Sequence, residues 1–506
     1  MPLINSLFSW WMKKRMHQIE FFTKYPNEVQ KEWIEQLVSS AEDTEWGTHY
    51  NYSKIDSIKD FKESVPVQDY ESLKPFIKRM MVGEKNILWP GETKWFAKSS
   101  GTTADKSKYI PVSKEALDEC HYKGGKDMLS IYCSTHEDTQ IFTGKTLMMG
   151  GSSQTINPSM GSYHGDLSSI IIKNLPFWAE IRRTPDRETA LLDDFELKLE
   201  KMAKLTADEN VTSISGVPSW TLILMNKMLK KHNKKTLHEI WPNLEVFFHG
   251  GVAFGPYKSQ FDEILDIGKM NFLETYNASE GFFGIEDLNA PSELLMMLDY
   301  GIYYEFVPVD EWDNEYPRTL ELDEIELNTN YAILISTNAG LWRYKIGDTV
   351  QFTSKYPFRI KVSGRTKHYM NAFGEEVIID NAEQALNYAC GLTNSTVAEY
   401  TAAPVHLTNQ QAGCHQWLIE FETAPKNLVE FQFHLDVKLK EVNSDYEAKR
   451  KGNLALDVPQ IESLPKGSFY DWMRSRNKLG GQNKVPRLSN DRKYIEDILR
   501  LVKQSR

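Results

Sequence analysis

Residues 98–108 read Lys-Ser-Ser-Gly-Thr-Thr-Ala-Asp-Lys-Ser-Lys. Small hydroxyl side chains around one glycine let backbone N–H groups and hydroxyls converge on an anion. Gly101 lacks the Cβ that would hold that anion off. The flanking lysines add positive charge. The form is that of a phosphate cradle, although the Walker A spacing is missing. A mobile surface loop has the same composition, so this stretch needs company before it means anything.

Two further stretches supply it. Glu274-Thr275-Tyr276-Asn277-Ala278-Ser279-Glu280-Gly281 follows a run that reads as a strand. An aromatic beside an acid at a strand end suits a nucleotide, since the ring can cover a base and the carboxylate can hold Mg²⁺. Leu341-Trp342-Arg343-Tyr344-Lys345-Ile346-Gly347-Asp348 ends on an Asp after a Gly. Such an Asp can accept two hydrogen bonds from a ribose diol. Singly, a strand–loop junction and a β-turn Asp explain these two stretches as well as a nucleotide does.

The elements around them form a pattern. Residues 10–45 read as helices, with Val29, Trp33, Leu37 and Ala41 on one apolar face. A second helical piece, Tyr70–Met81, is introduced by Pro66 and Asp69. Short apolar runs then alternate with helical segments: Thr146–Met149, Ser169–Ile172, Val211–Ser215, Glu245–Phe248 and Asn271–Leu273. Such alternation predicts an α/β lobe whose sheet is covered on both faces. From Leu294 the texture turns β-rich. Ile302–Val309, Tyr331–Thr337, Leu341–Ile346, Thr349–Thr353 and Arg359–Val362 are strand candidates, with Asn338-Ala339-Gly340 as a hairpin turn. A small antiparallel, barrel-like unit fits this stretch. Beyond Ser363-Gly364-Arg365 a smaller α+β lobe is expected, in the order helix, strand, strand, helix, strand, helix. The domains are therefore placed at 1–365 and 366–506.

Composition removes several classes. The chain has 506 residues, 41% hydrophobic, 12% aromatic and 25% charged, with a formal net charge of −11. That acidity repels phosphate backbones, so nucleic acid is not an expected partner. The basic run Lys230–Lys235 reads as a solvated helix end. Cys120, Cys133, Cys390 and Cys414 form no CxxC or zinc spacing, which points to a reducing, cytoplasmic setting. No run approaches the roughly 20 apolar residues of a membrane span. Near the N-terminus Lys13, Lys14 and Arg15 follow Leu7, Phe8, Trp10 and Trp11, the reverse of a signal peptide. No membrane association is expected.

In this order, the three stretches resemble the ATP/AMP motifs of the auxin-conjugating acyl acid–amido synthetases. These form the auxin-responsive promoter (Gretchen Hagen) family of the firefly-luciferase-like, adenylate-forming superfamily. Val65-Pro66-Val67-Gln68-Asp69-Tyr70-Glu71 with Lys74-Pro75-Phe76-Ile77 is similar to the segment ahead of that family's first motif. Gly364-Arg365-Thr366-Lys367, Asn371 and Gly374-Glu375-Glu376-Val377 resemble the superfamily's crossover between lobes. Gly480-Gly481-Gln482-Asn483-Lys484-Val485-Pro486-Arg487 resembles the closing loop with its catalytic lysine. The likeness runs from about residue 25 to 500.

The resemblance implies ATP and Mg²⁺ as cofactors, a small-molecule carboxylic acid and an amino acid or other amine as partners, and a monomer. It implies that Ser99, Ser100, Gly101, Thr102, Thr103 and Lys108 line the phosphates. Tyr276 would lie by the adenine with Asn277 and Ser279 nearby, and Gly250 and Gly251 of His249-Gly250-Gly251 would let backbone approach the base. Glu280 would hold Mg²⁺ and share in catalysis, Asp348 would bind the ribose with Arg365 close by, and Lys484 would act from the small lobe. The acid's own pocket is less marked. Val217, Pro218 and Ser219 follow a strand, and Trp178, Phe177 and Met160 are aromatic or soft candidates, for all of which core packing is the plain alternative. Two departures stand out. Asp105 occupies a place where the family often has glycine, and Lys345 replaces an arginine, keeping charge but losing bidentate geometry. An acyl-CoA or aryl-CoA ligase and a non-catalytic nucleotide-binding protein on the same fold remain as alternatives.

Overall fold

The computed structural model describes residues 2–99, 108–151, 162–251, 254–287, 293–312, 314–366, 370, 375, 377–405, 413–443, 446–447, 450, 456–476, 478–479, 484–489 and 492–504, without the side chains of residues 2–5, 9, 99, 195, 219, 256 and 365. The chain forms two compact units. Unit 1 comprises Met1–Val252, Ile264–Ile346 and Val350–Lys361; unit 2 comprises Ala253–Glu263, Gly347–Thr349 and Val362–Arg506.

Unit 1 opens with helices Pro2–Lys13, Met16–Lys24 and Pro26–Ser40. Pro26 sits in the first turn of the third helix, where its missing N–H costs nothing. Val29, Ile34, Leu37 and Val38 form its buried stripe. Helix Tyr70–Met81 starts where the sequence predicts, because Asp69 accepts from Ser72 N and the Ser72 hydroxyl closes a capping box. Its buried residues Tyr70, Leu73, Ile77 and Met80 recur at helical spacing.

Among the described residues the strands are β1 (Trp95–Ser99), β2 (Lys108–Val112), β3 (Lys145–Met148), β4 (Tyr163–Gly165), β5 (Arg183–Thr184), β6 (Val211–Gly216), β7 (Val246–Gly250), β8 (Asn271–Ala278), β9 (Gly281–Glu286), β10 (Leu294–Met296), β11 (Ile302–Pro308), β12 (Asn330–Thr337), β13 (Tyr344–Lys355), β14 (Phe358–Arg365), β15 (Thr396–Val405), β16 (Cys414–Thr423) and β17 (Gln460–Leu464). They form a small sheet β2-β1-β4, a long sheet β11-β12-β13-β14-β10-β9-β8-β7-β6-β3-β5, and a third sheet β15-β16-β17. Strands β5, β3, β6, β7 and β8 run parallel. β7 is buried over Val246–His249, as a sheet covered on both faces requires.

Two expectations are corrected. Ser169–Ile172 lies inside helix Leu167–Lys173, because a serine and three isoleucines carry no period that separates a strand from a helix turn. The expected barrel-like unit does not close among the described residues. Its strands β10–β14 continue the long sheet, since β10 pairs with β9 on one side and β14 on the other. The turn Asn338-Ala339-Gly340 does join β12 to β13. Gly340 has φ +84°, and a Cβ there would meet Leu88 backbone at 2.9 Å.

In unit 2, β15 and β16 are antiparallel and β16 and β17 parallel. Alternate residues of β16 face opposite ways. Trp417, Ile419 and Phe421 join the core with helices Ile379–Thr393 and Leu428–Val442. Leu418 joins Phe469, Trp472, Ile495 and Ile498 from helices Ser468–Ser475 and Lys493–Gln504. No helix among the described residues is long and apolar enough to cross a membrane.

Candidate functional site

Parallel strands end on a common edge, and ligands of open α/β sheets collect there. In unit 1 that edge brings together several of the residues singled out above. β6 ends at Gly216, and Val217 and Pro218 lead at once into helix Pro218–His232. β7 ends at Gly250, followed by Gly251 with φ +81°. A Cβ on Gly250 would lie 2.4 Å from Thr275 O and 2.8 Å from Thr275 Oγ1, so close packing of β7 on β8 already demands glycine there. At the end of β8, Asn277 is exposed, Ser279 is buried and Glu280 is half-buried. The Ser279 hydroxyl has no hydrogen-bond partner among the described residues. Tyr276 is buried against Phe283, ring centroids 4.9 Å apart.

Of the phosphate-loop residues, Ser100, Gly101, Thr102 and Thr103 lie outside the described residues, as do Asp105, Lys106, Met160, Lys367, Asn371, Gly374, Glu376 and Gly480–Asn483; so do the side chains of Ser99, Ser219 and Arg365. The loop's two ends are described. Ser99 and Lys108 are paired across the antiparallel strands β1 and β2, so the loop spans a hairpin rather than a strand–helix junction. The Lys108 ammonium lies 5.5 Å from the centre of the Tyr70 ring.

Unit 2 carries Asp348 and Lys484. Asp348 is buried on β13 beside Gly347, whose φ is +89°. Thr366 N donates to Gly347 O at 2.8 Å, and Ser363 Oγ donates to Thr349 Oγ1 at 3.0 Å, which braces the backbone on both sides of Asp348. Lys484 is exposed. Glu375 of the crossover segment and His415 of β16, both fully buried, meet at 2.9 Å.

Unit 1 also holds an apolar cavity of about 130 Å³. Helix Tyr122–Thr135 supplies Tyr122, Met128 and Leu129, and the sheet supplies Ser215 and Phe248. Trp178 lines it, whereas Val217 and Pro218 do not. Phe177 is 81% exposed and turns away, which corrects its candidacy. Phe8, from the first helix, closes one side against Phe142, ring centroids 5.4 Å apart. That helix is held down by Arg15, which sits just beyond its end. Its guanidinium reaches Asp127 at 2.9 Å and Asp299 at 2.7 Å, and Tyr300 OH donates to Asp127 at 2.8 Å. Sequence reasoning missed this wall, because a Tyr122/Met128/Leu129 stripe reads as ordinary core.

Glu274, first residue of the second motif, faces a like charge. Its backbone N–H donates to Glu286 Oε2 at 2.9 Å. Burial, and then the charge of Glu286, push the Glu274 carboxyl up to about 7. The folded state therefore holds a proton that the unfolded chain releases near 4.5. Stability is lost as pH rises from that value through about 7. Glu274→Gln should flatten this fall in denaturant titrations run across that window. An unchanged pH slope in the variant would show that Glu274 does not titrate there.

A parallel sheet with glycines at its open edge, a serine- and threonine-rich segment between the paired strands β1 and β2, and a small α+β unit bearing an exposed lysine accord with the adenylate-forming fold. A 2-hydroxyisobutyryl-CoA ligase in its postadenylation state matches with TM-score 0.55 at 12% identity, over 97% of this chain and 91% of that one. The GH3.15 acyl acid amido synthetase matches with TM-score 0.79 at 16% identity, over 96% of both chains. The GH3 family N-terminal domain matches residues 15–269, its central domain residues 295–365 and its C-terminal domain residues 380–493. The chain belongs to the GH3 family. It is 25% identical to the indole-3-acetic acid-amido synthetase GH3.3 of Arabidopsis thaliana, over 94% of this chain and 91% of that protein.

Proposed function

We propose that this protein is an ATP-dependent acyl acid–amido synthetase. It adenylates a carboxylic acid, releasing pyrophosphate, and then passes the acyl group to an amine, an amino acid by family kinship, releasing AMP. The observation that carries the reading is the open edge of unit 1, where Gly250, Gly251 and the unpartnered Ser279 hydroxyl stand at neighbouring strand ends. A buried hydroxyl without a partner fits a ligand that supplies one.

A carboxylate cannot donate its acyl group directly, because oxide is too poor a leaving group. Attack of its oxygen on the α-phosphate expels pyrophosphate and makes a mixed carboxylic–phosphoric anhydride, from which AMP leaves readily when the amine attacks the acyl carbon. The obstacle is that two anions must meet, so cationic groups that act in the transition state raise the rate. We assign Ser99, Ser100, Gly101, Thr102, Thr103 and Lys108 to the phosphates, Tyr276, Asn277 and Ser279 to the nucleoside side, and Asp348 with Arg365 to the ribose. Glu280, a half-buried carboxylate, suits Mg²⁺ as an oxygen donor. Among the described residues no cluster of three His, Cys, Asp or Glu side chains is built for a metal. A Mg²⁺ ion held by Glu280 would take water and substrate phosphate as its other ligands and would offset negative charge. The apolar cavity beside Trp178 is the acyl site. Residues 1–365 form the adenylating domain and 366–506 the lid that carries Lys484. The protein works as a cytoplasmic monomer.

The test is ATP–pyrophosphate exchange with pooled aromatic, indolic, fatty and amino acids. Acid-dependent exchange supports adenylation, and its absence across the pool with ATP still bound overturns it. Amino acids against coenzyme A as acceptors then separate an amido synthetase from a CoA ligase, which would share the adenylation step. Asp348→Ala should weaken ATP binding about a hundredfold or more, since two charge-assisted hydrogen bonds of roughly 1.5–3 kcal/mol each are lost. An unchanged Kd by calorimetry would remove Asp348 from the ribose.

A further inference from the structure

The cavity carries one side chain that adenylation does not use. His121 ends the π-helical turn Ala116–His121, which leads into helix Tyr122–Thr135, and its ring lines the cavity. Its side chain belongs to a residue only 6% exposed, and its Nδ1 has no hydrogen-bond partner among the described residues. Other polar groups on the same wall are engaged. Arg182 Nη2 donates to Ile141 O at 3.2 Å, Tyr122 OH donates to Ile171 O at 3.4 Å, and Thr146 Oγ1 lies 2.8 Å from Ser213 Oγ. A buried polar atom left without a partner carries a desolvation cost that a bound ligand can remove.

The π-helical turn gives this placement a backbone cause. One residue beyond the α-helical count turns the side chains ahead of it by about 100° relative to those behind. His121 is thereby set on the wall beside Tyr122 and Gly125. Burial also draws the imidazole down to about 4, so at neutral pH the ring is uncharged. It then offers one N–H donor and one lone pair. That equipment suits a single hydroxyl or N–H group. A carboxylate calls for a cation or several donors.

We propose that His121 reads a hydrogen-bonding substituent on the body of the acyl acid, so that the preferred substrate is an apolar acid with one hydroxyl or N–H group apart from its carboxylate. This rests on the reading of the cavity as the acyl site.

The test uses phenylacetic acid and its 2-, 3- and 4-hydroxy isomers. Binding is followed by tryptophan fluorescence, since Trp178 lines the cavity, and adenylation by ATP–pyrophosphate exchange. In the unmodified protein one isomer should bind about tenfold or more tighter than the parent acid. His121→Phe should erase that preference while leaving the parent acid within about threefold, and His121→Asn, which keeps a polar atom near the Nδ1 position, should retain part of it. Equal binding of all four acids to the unmodified protein, or binding of none, overturns the proposal. So does a preference that survives His121→Phe. Isomer-dependent binding with no exchange for any of the four acids would sink the reading of the cavity as the acyl site and leave the His121 contact standing. Exchange without isomer preference would do the reverse.

Discussion

Lys484→Ala is expected to slow adenylation about a hundred- to a thousandfold, the usual cost of removing one preorganised charge donor. ATP affinity should stay within a few fold, because a group that acts as charge builds up contributes little to ground-state binding. The structure makes this a clean experiment. The segment that carries Lys484 is held by its other residues. Thr401 Oγ1 donates to Pro486 O at 2.6 Å, Ala402 N to Arg487 O at 2.8 Å and Ser489 N to Ala402 O at 3.0 Å. Val485 and Leu488 are buried. Arg487 pairs with Glu399, lies over the Tyr400 ring at 4.7 Å and donates to Tyr257 OH at 2.9 Å. Lys484 itself is exposed, where losing a surface interaction costs about 1 kcal/mol or less. A loss of rate then reports chemistry rather than unfolding. Supplying a preformed acyl-adenylate gives the matching control. If Lys484 serves the first step alone, the variant should convert that intermediate to amide at close to the normal rate. Pyrophosphate release at the normal rate in Lys484→Ala would remove the residue from the mechanism.

What could be read from the residues depended on the range of the interactions involved. Helix Tyr70–Met81 was legible because its cap, Asp69 with Ser72, lies within one turn. The β12–β13 turn was legible because Gly340 needs a positive φ that few residues tolerate. Helix Leu428–Val442 takes the second helical place in the order expected of the small lobe. Longer-range features were not legible. β1 pairs in parallel with β4, joining Trp95 to Tyr163, and no local pattern announces that contact. Helix Lys493–Gln504, with Ile495 and Ile498 buried, lies beyond the last helix expected of the small lobe. The candidate site divides in the same way. Glycine-bearing strand ends such as Gly250-Gly251 are short signals. The cavity wall is assembled from Phe8, Phe142, Trp178 and one helix stripe, each of which alone looks like core. Lys345 shows how a departure can be absorbed. Its ammonium donates to Trp312 O at 2.7 Å and sits 4.6 Å from the Trp312 ring centre, a use that needs charge and reach but no bidentate fork.

Arg343, two residues before Lys345, should give the largest stability loss of any single substitution considered. All five of its N–H donors are used. Nε and Nη2 donate to Glu305 at 2.9 and 2.8 Å, and Nη1 donates to Lys62 O at 2.8 Å and Val65 O at 2.7 Å. Nη2 also donates to Thr319 Oγ1 at 2.9 Å. The backbone joins in, with Arg343 N donating to Ser336 Oγ at 3.0 Å and Gln68 N donating to Arg343 O at 2.9 Å. One side chain thus ties the end of helix Ile58–Ser64 and the residue after it to β11 and to Thr319 within unit 1. Arg343→Ala would leave Glu305, 1% exposed, as a buried charge with its partner gone. Such a break costs about 3–5 kcal/mol. Arg343→Lys should recover little, because an ammonium has three donors and no planar fork. The double change Arg343→Met with Glu305→Leu should cost less than Arg343→Ala, since the dominant penalty is the stranded carboxylate and not the missing pair. Denaturant unfolding of the three variants decides the matter. If the double variant is as unstable as Arg343→Ala, the cost lies in lost packing and backbone contacts. If Arg343→Ala unfolds with the unmodified protein's midpoint, the clamp does not hold unit 1 together.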